Sequence, residues 1–335
     1  MNSMTVAQAE LTGVDPLRVV PGGRLWLRGS GLPIPSSPRQ ECSIGGLPAA
    51  VLFAAPDRIA LEVPPGLDGG ATEIKAPWLL GATPFVQVGA QVATGIHQVD
   101  NPAIDAEGRV YVTYSGTRGQ QSPVSVFRIS PGGAREPFIT GIVNATSMAF
   151  GRDGHLYLSS RFDGSVYRVF EDGRHEVVAS DLGLACGLAF APDGTMFVGD
   201  RSGTIFHIDP KGRTETLTTL PASVAAFHLA MGPDDALYVT GPTLASYDRV
   251  YRIDLAGNSE ALTETFGRPQ GLAFDSHGVL HVVEALAGVS GIYRLPQSGP
   301  KTMAVSGARL VGLAFGANDT LVVASSDTVW RFGEI

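Results

Sequence analysis

Cysteine is nearly missing from this chain. Two residues in 335, Cys42 and Cys186, are too few to staple a fold of this size, so a disulfide scaffold is excluded. Charge is sparse as well, at 17% of residues, and 32 acidic side chains outnumber 24 Lys and Arg for a net charge of −8. No Lys/Arg cluster interrupts that balance, which leaves no electrostatic footprint for nucleic acid. The opening "MNSMTVAQAELTGVDP" has no basic start followed by an apolar run, so it does not read as a secretory signal. The cytoplasm is the expected location, with secretion left open. Residues 76–99 carry no formal charge. Pro77, Pro84, Gly81, Gly89 and Gly95 break this stretch, and three Gln and a His make it polar, so no membrane helix is expected there. Its "FVQVGAQV" alternates as a strand does.

The local signatures of chemistry are also missing. No Ser has Gly two residues away on both sides, so there is no nucleophile elbow. There is no HExxH, no phosphate-cradling Gly loop, no CxxC pair and no EF-hand pattern. These absences exclude sites built from one segment. They leave open a site assembled from several.

What the chain has instead is turns. With 42 Gly, 23 Pro and few long helical patterns, it reads as all-β. A unit recurs six times: an apolar strand, a polar turn, a second apolar strand, a loop, then a strand with an aromatic and a basic residue. The first strands end at Ile104, Phe150, Phe190, Met231, Phe274 and Phe315, at spacings of 46, 40, 41, 43 and 41 residues. The turns that follow hold Glu107-Gly108, Asp153-Gly154, Asp193-Gly194, Asp234-Asp235, His277-Gly278 and Asn318-Asp319, pairs suited to the positive φ angles of two-residue hairpins. A period of about 40–45 residues with several strands per unit predicts a propeller of six blades.

The chain stops at Ile335, just after "TVWRF", and so leaves the sixth unit without a fourth strand. "AQVATGI" at 90–96 resembles "EPFITGI" at 136–142 and predicts that 85–94 supplies the missing strand and closes the ring. The expected organisation is a tail over 1–9, a small β-sandwich over 10–82 and the propeller over 83–335. Trp26 and Trp78 are expected in the sandwich core.

Propeller sites form where the blades converge. Aligned on the turns, the residue at the start of each inner strand is Asp100, Thr146, Cys186, Phe227, Gln270 and Val311. Gly recurs at the next position, at 187, 271 and 312, where crowded backbones leave no room for a side chain. A residue type shared by every unit serves the repeat. The third-strand basic residues Arg128, Arg168, His207, Arg252, Arg294 and Arg331 are of that kind. The candidates for ligand contact break the pattern: Asp100, Thr146, Cys186, His228 and Gln270, as a group lining one mouth. His228 sits one position further along and is expected to point sideways. Loop residues after the second strands belong to the same face, among them Tyr114, Arg118, Arg161, Asp163, Asp200, Arg201, Glu284 and Asp327. They read as exposed charge.

Two resemblances follow from these residues. "GGRLWLRGSGL", "IGGLPAAV" and "VPPGLDGG" resemble an IPT/TIG domain, an immunoglobulin-like module that implies binding or positioning. "RPQGLAFDSHGVLHV", "CGLAFAPDGTMFVGDRSGTI" and "GHLYLSSRFDGSVYRV" resemble the NHL-repeat and gluconolactonase-like (senescence-marker) six-bladed propellers, over essentially all of 84–335. The lactonase branch holds a divalent metal in the channel with a Glu, an Asn and an Asp from the first, fourth and fifth blades. A substrate-contacting Asn stands in the third. At those places this chain has Asp100, Phe227, Gln270 and Cys186. One carboxylate and one amide make a poor set for a hard cation. No cofactor is therefore assigned, although a divalent metal in the channel, or zinc on Asp100, Cys186 and His228, stays open. The favoured reading is a non-catalytic module that binds a small molecule, glycan or peptide at the mouth, with a protein partner for the front domain. The alternative is a divergent metal-dependent lactone or ester hydrolase.

Overall fold

The computed structural model describes residues 9–34, 42–79 and 83–333. The expected tail lies outside them except for residue 9. Among the described residues the chain is all-β, with a single 3-10 turn at Ala317–Asp319. Among these residues no helix is long and apolar enough to cross a membrane.

Six four-stranded antiparallel units follow the six sequence repeats. Their first strands are Ala103–Ile104, Ala145–Phe150, Ala185–Phe190, His228–Met231, Pro269–Phe274 and Leu310–Phe315. Each of these contacts the next in chain order, and Ala103–Ile104 also meets Leu310–Phe315, so the units stand around a common centre. The approach is close. A Cβ on Gly271 would lie 2.1 Å from Asn101 Oδ1, and one on Gly312 would lie 2.5 Å from the Asp100 carbonyl oxygen. Asn101 is the reason for the first clash. Its amide donates to Leu272 O at 2.8 Å in the fifth unit, and its Oδ1 accepts from Leu313 N at 3.1 Å in the sixth. One side chain thus ties three units together from inside.

The turns use a different geometry from the one expected. The Gly108 N–H donates to Asp105 O and the Asp105 N–H to Arg109 O, which makes a three-residue loop with one left-handed residue. The same pattern recurs around Gly154, Gly194, Asp235 and Gly278. Only Asn318 and Asp319 are both left-handed, at φ 54° and 53°. A turn followed by a left-handed residue closes these hairpins, so the preceding Glu or Asp keeps an ordinary φ.

The third-strand arginines behave as parts of the repeat. Arg128, Arg168 and Arg252 pair with Glu136, Glu176 and Glu260 on the fourth strands of their own units. Arg331 crosses instead to the first unit and donates to Gly108 O and Pro131 O.

The fourth strand of the sixth unit is Ala90–Thr94, running antiparallel to Thr328–Phe332. It is shorter than expected. Phe85–Val88 pairs on the other side, with Gly70–Lys75 and Arg18–Val19. The chain switches partners at Gly89, where a Cβ would stand 3.0 Å from Phe332, Trp330 and Val20.

In front lie two sheets around a core of Leu25, Leu27, Ile44, Ile59, Leu61 and Ile74. One orders Glu10–Asp15, Arg24–Ser30, Arg58–Glu62 and Val51–Ala55. The other continues into the fifth unit, because Arg18–Val19 pairs in parallel with Val305 and Ser306. Trp78 packs on the sandwich core as expected. Trp26 does not. It alternates with the inward Leu25 and Leu27, faces outward, and meets Phe53 edge-on at 5.8 Å.

Candidate functional site at the centre and mouth of the ring

The approach to the first unit is held by a buried amide. Gln98 accepts from Thr113 N at 2.7 Å and donates to Asp100 O at 2.8 Å. Asp100 Oδ1 accepts from Asn101 N at 2.7 Å and from His228 Nδ1–H at 2.5 Å. The first and fourth units are not consecutive, so this second bond crosses the centre where the inner strands converge. His228 therefore points inward, against expectation, because its strand starts where the inner strands converge. The pair is sealed: Asp100 is 2% exposed and His228 is 0% exposed. His228 Nε2 is buried without a hydrogen-bond partner.

The other candidates divide. Thr146 turns back on its own unit and donates to Asn144 O at 2.7 Å. Gln270 offers its backbone oxygen to Thr240 Oγ1 at 2.5 Å, and Cys186 offers its own to Ser159 Oγ at 3.2 Å. Each bond ties one unit to the next. Neither Thr146 nor Gln270 hydrogen-bonds to the Asp100–His228 pair. Phe227 fills the space left by Gly199 and Gly241 and belongs to the core between the third and fourth units.

A metal does not fit these residues. Asp100 Oδ1 is taken up by His228 and Asn101, and the imidazole offers only its Nε2. Burial pushes the Cys186 thiol up to about 12, although Arg161 pulls the other way, so the sulfur keeps its proton. No three His, Cys, Asp or Glu among the described residues converge in a way that would hold an ion.

Cys186 lines a cavity of about 140 Å³ together with Arg118, Arg161, Leu184, Arg201 and Ala225. Arg118 is exposed, as expected of this face, whereas Arg161 and Arg201 are half-buried. Arg161 and Arg201 directly follow the second strands Leu156–Ser160 and Met196–Asp200. The same position in the other units is Tyr114, Gly241, Ala285 and Ser326. Arg118 rides on a loop that Asn144 fixes: its amide donates to Ser115 O and Thr117 O, and its Oδ1 accepts from Gly119 N. Burial lowers the Arg161 guanidinium below its ordinary value, and Arg201 and Arg118 lower it further. Its Nε is buried without a partner. Arg161 and Arg201 thus break the pattern of the repeat at the position after the second strand, a signal that the sequence carries.

The carboxylates on this face are already engaged. Asp200 accepts from Leu184 N and Ser202 Oγ, Glu284 from three backbone N–H groups, and Asp163 from Ser165 N and Tyr167. None of them forms an ion pair with the three arginines.

This arrangement, with the comparisons, defines the chain as a β-propeller at the level of fold. No family model and no curated protein matches it. Solved structures do. A Xanthomonas campestris protein described as a gluconolactonase superposes with a TM-score of 0.60 at 14% identity, covering 88% of this chain and 98% of that one. An auxiliary nutrient binding protein from Bacteroides thetaiotaomicron gives 0.56 at 11%, covering 97% of each chain. A catalytically inactive virginiamycin B lyase from Staphylococcus aureus, solved with quinupristin, gives 0.52 at 14%, covering 99% and 97%. At these identities the likeness establishes the fold alone.

Proposed function

We propose that this protein is a non-catalytic binding protein: a closed six-bladed propeller that takes a small molecule at its mouth, behind an IPT/TIG-like, immunoglobulin-like module. The observation that carries the reading is the sealed Asp100–His228 bond. It uses up the one carboxylate that the lactonase resemblance offers as a metal ligand, and it closes the channel centre to substrate. A ligand is left the mouth above it, where Cys186 and the arginines stand. Strand pairing by Ala90–Thr94 supports closure, and the two-sheet core supports the front module. The whole-length likeness to a nutrient-binding protein is in keeping with a binding role.

The second reading is a divergent lactone or ester hydrolase. It draws on the unpartnered His228 Nε2, which is placed as a general base would be if the centre opened. A screen of lactones and aryl esters with and without calcium, zinc or manganese separates the two. The binding reading expects no turnover, together with ligand-induced thermal stabilisation. Turnover that a chelator and Asp100→Ala both abolish would overturn it.

A further inference from the structure

We infer that the cavity beneath Arg118, Arg161 and Arg201 binds the oxyanion head of a small acid, either a carboxylate or a phosphoryl group. The inference rests on the binding role proposed above and names the class of ligand. Three consecutive units direct a guanidinium to one cavity, and no carboxylate among the described residues pairs with any of them. Arg201 is pinned through Nε and Nη2 to Ser223 O and Val224 O, which leaves its Nη1 without a partner. Arg118 is placed by the Asn144-bound loop. The Arg161 side chain makes no hydrogen bond at all, and its buried Nε is an orphaned donor. Crowding three like charges into a partly desolvated site is unfavourable unless an anion completes it, and the planar forks of arginine match an oxyanion through paired N–H donors.

Size and charge narrow the class. At roughly 30 Å³ per water, the cavity holds about four or five waters, room for a head group but not for a whole ligand. The body of the ligand must therefore lie outside the cavity. A chain of net charge −8 repels polyanions at long range, so a small acid fits better than a nucleic acid.

The test is binding to the full chain at fixed ionic strength, read by calorimetry and thermal shift, with inorganic phosphate, hexanoate and neutral hexanamide as probes. One of the anions is expected to bind saturably and hexanamide is not. Arg161→Gln and Arg118→Gln should each weaken the anion by about tenfold or more. A response to phosphate alone identifies a phosphoryl ligand, and a response to hexanoate alone identifies a carboxylate. Equal binding of hexanoate and hexanamide overturns the inference, as does anion binding unchanged in both variants or absent up to about 50 mM. The binding role fails differently: hydrolytic turnover would remove it and leave the anion site standing. Saturable hexanamide binding with neither anion bound would keep the role and remove the anion site.

Discussion

Asp100 and His228 stand 128 residues apart in sequence and 2.5 Å apart in space, on units that are not neighbours in the ring. A bond in that position acts across the centre of the fold. It joins the first and fourth units directly, and with the Asn101 bond to Leu272 O it is one of two ties described here that skip a neighbour.

Removing one partner of the pair leaves the other buried and unpaired. Asp100→Ala and His228→Ala should each lower the unfolding free energy by about 3 kcal/mol, and the double variant should lose less than the sum. Chemical denaturation measures this. Single losses below about 0.5 kcal/mol would mean that the pair is solvated in solution.

Gly271→Ala should be costly for a separate reason. The added methyl meets Asn101 Oδ1 at 2.1 Å and Val311 O at 2.9 Å, and it breaks the staple across three units. A loss of about 2–3 kcal/mol is expected. Gly13→Ala, with nothing within 4 Å, should be close to neutral in the same assay.

Stability should fall on mild acidification. Burial lowers the His281 pKa from the ordinary 6.5, with Arg294 and Arg18 adding to it and Val279 O and Asp275 opposing it. Below 6.5 the unfolded chain takes up a proton that the folded protein still refuses, so the unfolded state binds more protons and gains. The unfolding midpoint should drop between about pH 7 and pH 5, and His281→Gln should flatten part of that slope. A midpoint that rises over this range would contradict the assignment.

Cys186 should be inert in the native state, with its thiol 1% exposed and held up at about 12 by burial. Thiol titration at pH near 8 is expected to find almost nothing until denaturant is added, and then both cysteines. Rapid labelling of Cys186 in the folded protein would show that the cavity wall opens.

The repeats were legible because each unit states its own turn and strand chemistry locally, from Glu107-Gly108 to Asn318-Asp319. The partner of Asp100 was not. Nothing in residues 98–102 encodes which of the five other units supplies the atom across the centre. The arginines fell between these cases. Their loop position was readable, and so was their face, but the cavity that Arg161 shares with Leu184 and Cys186 of the next unit is not written in any local pattern. Trp26 faces outward because the alternation with Leu25 and Leu27, not aromaticity, decides which face a strand residue takes.

Arg18–Val19 pairs in parallel with Val305 and Ser306, so the front module shares backbone hydrogen bonds with the fifth unit. It is not a bead on a tether. A load applied to the sandwich would reach the ring as shear along a short strand pair, resisted by several bonds at once. A partner that grips the front of this protein therefore also grips its ring.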